Sequence, residues 1–419
     1  MNIDTLDALE RRDPQDRERD LLARLPGLVA RARTAPGWAA ILDGVQPERI
    51  NSRAALAELP ITRKADLKNL QRKAMPFGGL NATAIGQMSR VYMSPGPIFD
   101  PEGRSLDWWR FSRPMYAAGV RAGGLLQNCF SYHFTPAAFM VEGGAARIGC
   151  AVIPAGAGQT EMQVQAIVDL RPDTYVGTPS FLRIIIEKAR EMNADISSIE
   201  RALVGAEALP ESLRAWFREN GVPQVFQTYA SADIGSVAYE TASDGVLNPG
   251  MMLDEDVLLE IVRPGSGEPV APGDTGEVVV TLFNDDYPLI RFATGDMSAL
   301  LVGTAPSTCG RTNARIRGWM GRADQTTKVR AMFVHPSQID NIARRHPEII
   351  KARMVVTGRM ANDVMTLRCE VRETPAAELA AAIVESIREV TKLRGEVEFV
   401  APGALPTDGL MIEDVRDYT

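Results

Sequence analysis

The spacing of hydrophobic and polar positions changes along the chain and predicts distinct regions. Residues 1–75 carry apolar side chains at helical spacing, with Leu21 and Leu25 on one face, so this segment is predicted to be largely helical. Between 110 and 300, short apolar runs typical of strands alternate with amphipathic stretches typical of helices, as in GCAVIP (149–154) followed by QTEMQVQAIVDL. Such alternation predicts right-handed βαβ units around a parallel sheet.

The pattern changes again near residue 250. The β-rich runs VLLEIV, GEVVVTLF and YPLIRF, the first two separated by a turn-rich spacer, predict a small antiparallel sheet or barrel within 250–310. After Gly321, two strand-like runs and an Ala-rich helical stretch predict a compact α+β tail. The predicted fold class is therefore α/β, with a large N-terminal domain over 1–321 and a small α+β domain over 322–419.

Composition and charge exclude several classes of protein. The chain has 419 residues, of which 45% are hydrophobic and 24% charged, as is ordinary for a globular protein. Its net charge of −7 argues against nucleic acid or an anionic membrane as a partner, because both attract clustered Lys and Arg. The polar N-terminus, the lack of a long apolar run and four widely spaced cysteines predict a cytoplasmic protein without a membrane span.

Several motifs follow one another along almost the whole chain. They are LAELPITRKADL, GAARIGCAVIPAGAGQTEMQVQAIVDLRPDTYVGTPSFL, GAEALPESLRAWF, PLIRFATGD and CGRTNARIRGWMGRADQTTKVRAMFVHPSQID. In this order they resemble the phenylacetate–CoA ligase branch of the adenylate-forming superfamily. The resemblance implies a two-step reaction, in which ATP and a carboxylic acid give an acyl-adenylate and pyrophosphate, and a thiol, usually coenzyme A, then displaces AMP. It also implies a substrate-holding N-terminal domain and a C-terminal lid that rotates between the steps.

The resemblance assigns one group of residues to the nucleotide. Asp296, in FATGD, matches the carboxylate that binds both ribose hydroxyls, and an acceptor-only group suits a vicinal diol. Gly205, Ala206 and Glu207 match the turn that lines the adenine, and Tyr229 matches the aromatic residue beside it.

Further positions are assigned to the metal, the domain junction and the acyl pocket. Asp233 replaces the family's Glu that helps to hold Mg²⁺, with a carboxylate one methylene shorter. Arg322 matches the Arg that reaches the ribose or phosphate region, and Asp324 falls at the hinge of the lid. His133 lies in the segment that lines the acyl pocket and is a candidate general base, with a packed pocket histidine as the alternative.

The phosphate loop departs from the family pattern, which reads roughly Ser-Ser-Gly-Thr-Thr-Gly-Lys-Pro. The corresponding segment 93–103 is MSPGPIFDPEG, in which only Ser94 and Gly96 match. Its prolines remove backbone N–H donors, and Asp100 and Glu102 add negative charge where a triphosphate binds. The loop is therefore predicted to be unsuited to ATP.

Three other family features are altered. Leu410 occupies the position of the lid lysine that neutralises transition-state charge. Ala331 replaces a Gly that leaves room for pantetheine. Of the zinc ligands of some branch members only Cys309 remains, with Glu240 and Leu247 near the other positions, so no zinc is predicted.

Three functional interpretations stay open at this point. The chain is a working acid–CoA or acid–carrier ligase, or an enzyme that passes an already activated acyl group (an adenylate or thioester) to an amine, thiol or carbon nucleophile, or a non-catalytic paralogue that binds a ligand or partner. The ligands implied are a small carboxylic acid or its acyl derivative, AMP or ATP with Mg²⁺, and coenzyme A or the pantetheine of a carrier protein. A homodimer is suggested by analogy with the branch alone.

Overall fold

The structure, a computed structural model, divides the chain into two compact units. The first comprises Met1–Leu209 and Arg214–Met320, and the second Pro210–Leu213 and Gly321–Thr419. The residues described are 4–94, 97–303, 306–323, 325, 327–330, 332–358, 363–371, 377–406 and 410–416. Within these ranges, no helix combines the length and the apolar character needed to cross a membrane.

Helices dominate the N-terminal part of the first unit, as the sequence predicts. The α-helices are α1 (Pro14–Ala32), α2 (Pro36–Ile41), α3 (Arg53–Ala57), α4 (Lys64–Lys73), α5 (Ser112–Ala117), α6 (Ala137–Ile148), α7 (Thr160–Leu170), α8 (Pro179–Glu191), α9 (Glu211–Glu219), α10 (Pro336–Arg345) and α11 (Ala377–Thr391). The carboxylate of Asp13 caps α1 by accepting the backbone N–H of Gln15 at 2.8 Å, and Pro14 sits at the first helical position. Pro26 lies inside α1 without splitting it.

The strands fall into two larger sheets in the first unit and one in the second, besides short hairpins. Those of the first unit are β1 (Thr62–Arg63), β2 (Arg90–Ser94), β3 (Ile98–Glu102), β4 (Leu125–Asn128), β5 (Ala151–Ile153), β6 (Thr174–Gly177), β7 (Arg201–Val204), β8 (Gln224–Ser231), β9 (Gly235–Tyr239), β10 (Ala242–Ser243), β11 (Val246–Leu247), β12 (Met251–Leu253), β13 (Val257–Val262), β14 (Gly276–Leu282), β15 (Leu289–Ser298) and β16 (Arg315–Ile316). Those of the second are β17 (Thr327–Val329), β18 (Met332–Val334), β19 (Ile349–Thr357), β20 (Val364–Val371), β21 (Glu396–Val400) and β22 (Ile412–Asp414).

The large sheet of the first unit has the order β16-β12-β9-β8-β7-β6-β4-β5. Strands β5, β4, β6, β7 and β8 run parallel, while β9, β12 and β16 pair antiparallel. Helices α6 to α9 connect the parallel strands in sequence, so the predicted α/β fold is confirmed. The carboxyl ends of these strands meet at one edge of the sheet, which is where such folds bind ligands.

A second sheet, of order β1-β15-β14-β13, brings the N-terminal segment to the same region. Strands β13, β14 and β15 pair antiparallel, whereas β1 runs parallel to β15, with Thr62 opposite Phe292. Lys64 therefore begins α4 just after the residues of β1 that pair with Phe292 and Ala293, in the middle of β15. Within 250–310, β12 instead pairs with β9 in the large sheet, so this segment contributes to two sheets and not to one separate barrel.

Buried ion pairs tie the N-terminal helices to the rest of the first unit. The carboxylate of Glu255, whose side chain is 1% exposed, accepts Arg17 Nε at 2.8 Å and Arg12 Nε at 3.2 Å. Trp38 is fully buried in the same core, and its indole N–H donates to the carbonyl oxygen of Pro288 at 2.9 Å. Because the removal of one partner leaves a buried charge unpaired, these contacts hold the segment firmly in place.

The second unit is a small α+β fold with its own core. Its sheet has the order β21-β20-β19-β22, in which β19 and β20 pair antiparallel and β21 and β22 join in parallel. Apolar side chains from the sheet and from α10 and α11, among them Val356, Leu367 and Ile383, form the core. This agrees with the compact α+β tail that the sequence predicts.

Candidate active site

Asp296 projects from a bulge in β15. Three residues of this strand, 294–296, lie opposite the single residue Val278 of β14. Gly295, in the middle of the bulge, has a φ of 77°, in the left-handed region that favours glycine. A bulge of this kind re-aims a side chain away from the regular alternation of the strand. Asp296 lies within β15, because the bulge interrupts the apolar alternation of the strand without ending its pairing.

Neutral donors fix both oxygens of the Asp296 carboxylate. Tyr229 Oη donates to Asp296 Oδ2 at 2.9 Å, and Trp319 Nε1 donates to Asp296 Oδ1 at 3.1 Å. The backbone N–H of Asp296 also donates to Thr294 Oγ1, at 3.1 Å. The resemblance assigns Tyr229 and Asp296 to the nucleotide, and the structure brings these two into direct contact. An oriented carboxylate of this kind can accept hydrogen bonds from two neighbouring hydroxyls.

The turn at 205–207 follows β7 at the carboxyl edge of the large sheet. Ala206 has a φ of 65°, an uncommon value for a residue with a Cβ. At Gly205, a Cβ would lie 3.2 Å from both Cγ2 and the carbonyl oxygen of Thr228, so the close approach to β8 favours glycine. Gln227 Nε2 donates to the carbonyl oxygen of Glu207 at 3.2 Å. The turn is thus held against β8, the strand that carries Tyr229.

The predicted phosphate loop forms a β-hairpin. Strands β2 and β3 pair from Arg90–Ser94 to Ile98–Glu102. Ser94 Oγ donates to Asp100 Oδ2 at 2.9 Å and lies 3.2 Å from the carbonyl oxygen of Ile98. Asp100 is only 1% exposed. The one matching hydroxyl of this segment is therefore engaged by a buried carboxylate of the same hairpin.

Lys64 and Asp233 form an ion pair beside this hairpin. Lys64 Nζ donates to Asp233 Oδ2, and Ser231 Oγ donates to the same oxygen at 3.1 Å. The side chain of Asp233 is 1% exposed and that of Lys64 is 28% exposed. Loss of solvent lowers the pKa of Lys64, but the charge and hydrogen bond of Asp233, together with the charges of Asp100 and Asp296, more than offset this, so the pKa lies above its usual value.

A second carboxylate shares this ammonium group. Burial raises the pKa of Asp100 well above its usual value, and the negative charge of Asp233 raises it further. Lys64 and the hydroxyl of Ser94 oppose that rise only in part. Two buried carboxylates therefore compete for one cation, and a further negative charge here is unfavourable.

Sequence reasoning did not single out Lys64, which the structure pairs with Asp233. This lysine stands in the motif LPITRKADL, at the first position of α4, and β1 delivers it to the site by pairing with β15. A cation at a helix N-terminus opposes the helix dipole, by roughly 0.3–1 kcal/mol. A lysine at this position was therefore a signal that a nearby carboxylate offsets the unfavourable interaction with the helix dipole, although the sequence does not say which carboxylate.

The donor set around Asp233 does not fit a magnesium ion. Mg²⁺ usually keeps several waters and binds through one or two carboxylates together with substrate phosphates. The carboxylate of Asp233 is almost fully buried and already paired with Lys64. Over the part of the chain that the structure describes, no group of three His, Cys, Asp or Glu side chains could hold a metal ion.

His133 lies on an exposed loop after β4. Its ring packs edge-on against Phe134 with 4.6 Å between centroids, and its backbone N–H donates to Ser131 Oγ at 3.1 Å. Among the described residues, no carboxylate orients the imidazole. The arrangement lacks the base-and-orienter contact that is typical of a general base.

The remaining predicted positions belong to the second unit or to residues that are not described. Arg322 lies at the start of the second unit and is half-buried, and the apolar side chain of Leu410 is 39% exposed. The predictions for Gly96, Asp324 and Ala331 fall outside the described residues.

Comparison with known proteins places this geometry in a family. The model of the AMP-binding enzyme family matches residues 123–281, which include β4 to β8 and the 205–207 turn. The phenylacetate–coenzyme A ligase of Thermus thermophilus is 31% identical over 396 residues, covering 89% of this chain and 87% of that protein. The chain belongs to the phenylacetate–CoA ligase branch of the adenylate-forming enzymes.

Other members of this branch are similar along most of their length. The phenylacetate–coenzyme A ligase of Escherichia coli is 27% identical over 343 residues, which cover 79% of this chain and 76% of that protein. A crystal structure of 2-hydroxyisobutyryl-CoA ligase, in complex with its acyl-adenylate and CoA, has a TM-score of 0.81 at 24% identity and covers 98% of this chain and 92% of its own. The chain thus shares the fold of a ligase of the superfamily over nearly its entire length.

Proposed function

We propose that this chain transfers the acyl group of an acyl-adenylate to a thiol, and that its ability to make the adenylate from ATP is impaired. Its substrate is a small carboxylic acid in activated form. The observation that carries the proposal is the contrast between an ordered nucleotide carboxylate, Asp296, and a phosphate region in which Asp100 and Asp233 already share Lys64.

The adenosine side supports binding of AMP and of acyl-adenylates. Asp296 is oriented by Tyr229 and Trp319, as a carboxylate that accepts a ribose diol should be. The turn at 205–207 lies against the strand that carries Tyr229 and matches the family's adenine-lining turn. These contacts would be needed by any enzyme that binds an adenylate, whether or not it makes one.

The phosphate side supports impaired activation. A triphosphate at the hairpin would meet the buried side chain of Asp100 and, nearby, the carboxylate of Asp233 between β8 and β9, and like charges at close range cost free energy. Leu410 supplies no cation at the position of the lid lysine. Loss of one group that stabilises transition-state charge typically costs about 10²–10³ in rate.

The transfer of the acyl group to a thiol makes smaller demands on the site than the formation of the adenylate from ATP does. The thiol sulfur attacks the acyl carbonyl carbon, a C–S bond forms, the bond from that carbon to the phosphate oxygen breaks, and AMP leaves. The proton of the thiol passes to solvent. Coenzyme A and the pantetheine of a carrier protein present the same thiol, so both are candidate acceptors, and an amine is the alternative nucleophile.

A comparison of the two half-reactions tests this proposal. Purified protein is supplied with synthetic phenylacetyl-adenylate and CoA, or with phenylacetate, ATP, Mg²⁺ and CoA, and the thioester is measured by liquid chromatography. We expect the adenylate to be used at least about 100-fold faster than ATP and acid. Similar rates of thioester formation from the adenylate and from ATP with acid would reject impaired activation. The protein would then be a CoA ligase that makes its own adenylate.

Parallel reactions identify the acceptor. An amine or a phosphopantetheinylated carrier protein replaces CoA in the adenylate assay, with the Asp296→Asn variant as the control for uncatalysed transfer. Amide formation without thioester would favour an amine acyltransferase. No turnover with any acceptor, together with AMP binding, would leave a non-catalytic binding protein.

A further inference from the structure

The hairpin of β2 and β3 is fastened to other elements along both of its outer edges. A two-stranded sheet is at best marginally stable by itself, so contacts of this kind decide where it lies. One edge is held by α4, and the other by the segment 131–136 after β4, which includes His133 and is called the acyl segment below. We infer that the hairpin positions the acyl segment, and through it the acyl group of an adenylate, and that Gln71 is the positioning residue that fixes the hairpin. The inference rests on the proposed function in that an acyl-adenylate is the ligand.

The side chain of Gln71 occupies the edge of β3 as a neighbouring strand would. Its Nε2 donates to the carbonyl oxygen of Phe99 at 2.8 Å, and its Oε1 accepts the backbone N–H of Phe99 at 2.9 Å. Gln71 lies on α4 and is only 2% exposed. Because a primary amide has both donors and an acceptor, it can satisfy both backbone groups of one residue. The two hydrogen bonds thus fix the position of β3 against the helix.

The outer edge of β2 contacts the acyl segment directly. Met93 is paired with Phe99 across the hairpin, and its backbone N–H donates outward to the carbonyl oxygen of Phe134 at 2.9 Å. Phe134 has a φ of 61°, which is unfavourable for a residue with a Cβ and persists where the surrounding structure imposes it. Gln71 and Phe134 therefore bind the two outer edges of the same residue pair.

Two side chains of β2 also hold Phe139, in the first turn of α6. The ring centroid of Phe139 lies 5.5 Å from that of Tyr92 and 4.6 Å from the guanidinium carbon of Arg90. The same ring packs edge-on against Tyr132 of the acyl segment, with 5.4 Å between centroids. Aromatic and cation–π contacts depend on geometry. A displacement of β2 would therefore be passed through Phe139 to Tyr132.

The acyl segment and the nucleotide residues share one edge of the large sheet. Strands β4, β6, β7 and β8 run parallel, so their carboxyl ends lie together, and such an edge is where folds of this class bind ligands. The acyl segment follows β4, the 205–207 turn follows β7, and Tyr229 lies near the end of β8. An adenylate held at Tyr229 thus extends along an edge whose far part is the segment that the hairpin supports.

A positioning role predicts a particular pattern of affinities. Loosening the hairpin would displace the acyl segment but leave Asp296 and Tyr229, which lie on β15 and β8. The loss of affinity should therefore be confined to ligands with a large acyl group. If Gln71 served only the stability of the fold, AMP and acyl ligands would weaken alike.

Calorimetric titration of three ligands tests the inference without requiring turnover. The ligands are AMP and two stable adenylate analogues, in which a sulfamoyl group replaces the phosphate and the acyl group is phenylacetyl or acetyl. In Gln71→Met, which keeps the side-chain length but neither hydrogen bond, the phenylacetyl analogue should bind about 3- to 10-fold more weakly. AMP and the acetyl analogue should stay within about twofold. Gln165→Met, at an exposed position of α7, is the matched control and should change none of the three affinities.

A variant on the other strand of the hairpin guards against misfolding. Arg90→Gln removes the cation over Phe139 together with the ion pair to Glu102, and the side chain of Arg90 is 45% exposed, so the fold should tolerate the change. We expect the phenylacetyl analogue to weaken by about 2- to 5-fold with AMP unchanged. Arg104→Gln removes an exposed charge just after the hairpin, where Nε donates to the carbonyl oxygen of Gln87, and should have no effect.

The inference and the proposed function fail separately. An unchanged preference for phenylacetyl over acetyl in both hairpin variants, or an equal loss for all three ligands, would overturn the inference, whether or not the protein transfers acyl groups. Selective loss of the phenylacetyl analogue in a protein that transfers no acyl group to any acceptor would reject the proposed function and keep the inference.

Discussion

The adenosine side and the phosphate side of the site treat their carboxylates in opposite ways. Asp296 accepts hydrogen bonds from the neutral donors Tyr229 and Trp319. Asp233 is paired with the ammonium of Lys64. The comparison teaches that two carboxylates of one site can be oriented by different means, one by neutral donors and the other by an opposite charge.

The two sides also depend on different levels of structure. On the adenosine side, the bulge of β15 and the left-handed residue Ala206 are backbone features that many substitutions would leave intact. On the phosphate side, the observed contacts are between side chains. Asp100 accepts a hydrogen bond from the hydroxyl of Ser94, and Lys64 pairs with Asp233.

The largest effect is expected at the ribose carboxylate. Asp296→Asn should weaken AMP binding by roughly 10- to 150-fold, because hydrogen bonds to a charged group contribute about 1.5–3 kcal/mol. Calorimetric titration of AMP measures it. Asp274→Asn, at an exposed turn between β13 and β14, is the control and should have no effect. An unchanged affinity in Asp296→Asn would show that Asp296 does not bind AMP, and the contrast between the two sides would no longer hold.

The next effect concerns the missing lid cation. Leu410→Lys should raise carboxylate-dependent ATP–pyrophosphate exchange by about 10-fold or more, because it returns a positive charge to the position where the family stabilises the transition state. Val415→Lys adds the same charge at another exposed apolar position of the second unit and should not raise exchange. If both variants behave alike, the motif does not position residue 410 at the reacting phosphate.

A smaller effect is expected from the neutral donor on Asp296. Tyr229→Phe removes the hydroxyl that donates to Asp296 Oδ2 and also lies 3.2 Å from Thr294 Oγ1. It should weaken AMP binding by about 3- to 10-fold, in line with roughly 0.5–1.5 kcal/mol for the hydrogen bond to Asp296. Tyr116→Phe is a matched control, because Tyr116 Oη also donates to an aspartate, Asp4, at 2.6 Å on the surface. Equal losses in both variants would indicate a general effect on stability.

The smallest effect is on stability and depends on pH. Because the folded-state pKa of Asp100 is raised, the folded protein keeps this proton at pH values at which the unfolded chain has lost it. The contribution of protonated Asp100 to the stability of the folded protein is complete below the unfolded pKa of about 3.9 and is lost as the pH rises through the folded pKa. Asp100→Asn should therefore gain stability relative to the unmodified protein as the pH rises from acidic to neutral, as measured by urea unfolding. If the difference in the free energy of unfolding between the variant and the unmodified protein narrows instead, Lys64 fully compensates the charges of both carboxylates.

Much of the fold could be predicted because strands and helices in the first unit differ in length and periodicity. The alternating runs from 149 to 231 give β5 to β8 and their helices nearly as the pattern predicts. The antiparallel strands β13 to β15 are also visible as apolar runs. What the pattern could not give is the sheet to which β12 belongs, because pairing partners are chosen by tertiary packing and not by local propensity.

The site was predictable where a residue stands in a motif and not where its role depends on a distant partner. Asp296 and Tyr229 are found from FATGD and YASAD, and they lie in contact. Lys64 was overlooked because its partner Asp233 is 169 positions away and the connection runs through a two-residue strand. The hairpin at 90–102 was equally hidden, because prolines argue against a strand, whereas Pro97 directly precedes β3 and Pro101 pairs with Val91 in a sheet of only two strands.

The two-residue strand β1 has a practical consequence for anyone who shortens this chain. This strand joins the N-terminal helices to a sheet of the first unit, because Thr62 and Arg63 pair with β15. Lys64 is the next residue and begins α4. Trimming the N-terminus past this point would remove the strand that pairs with β15 next to the bulge of Asp296, together with Lys64, and would leave the buried carboxylate of Asp233 without its ion-pair partner.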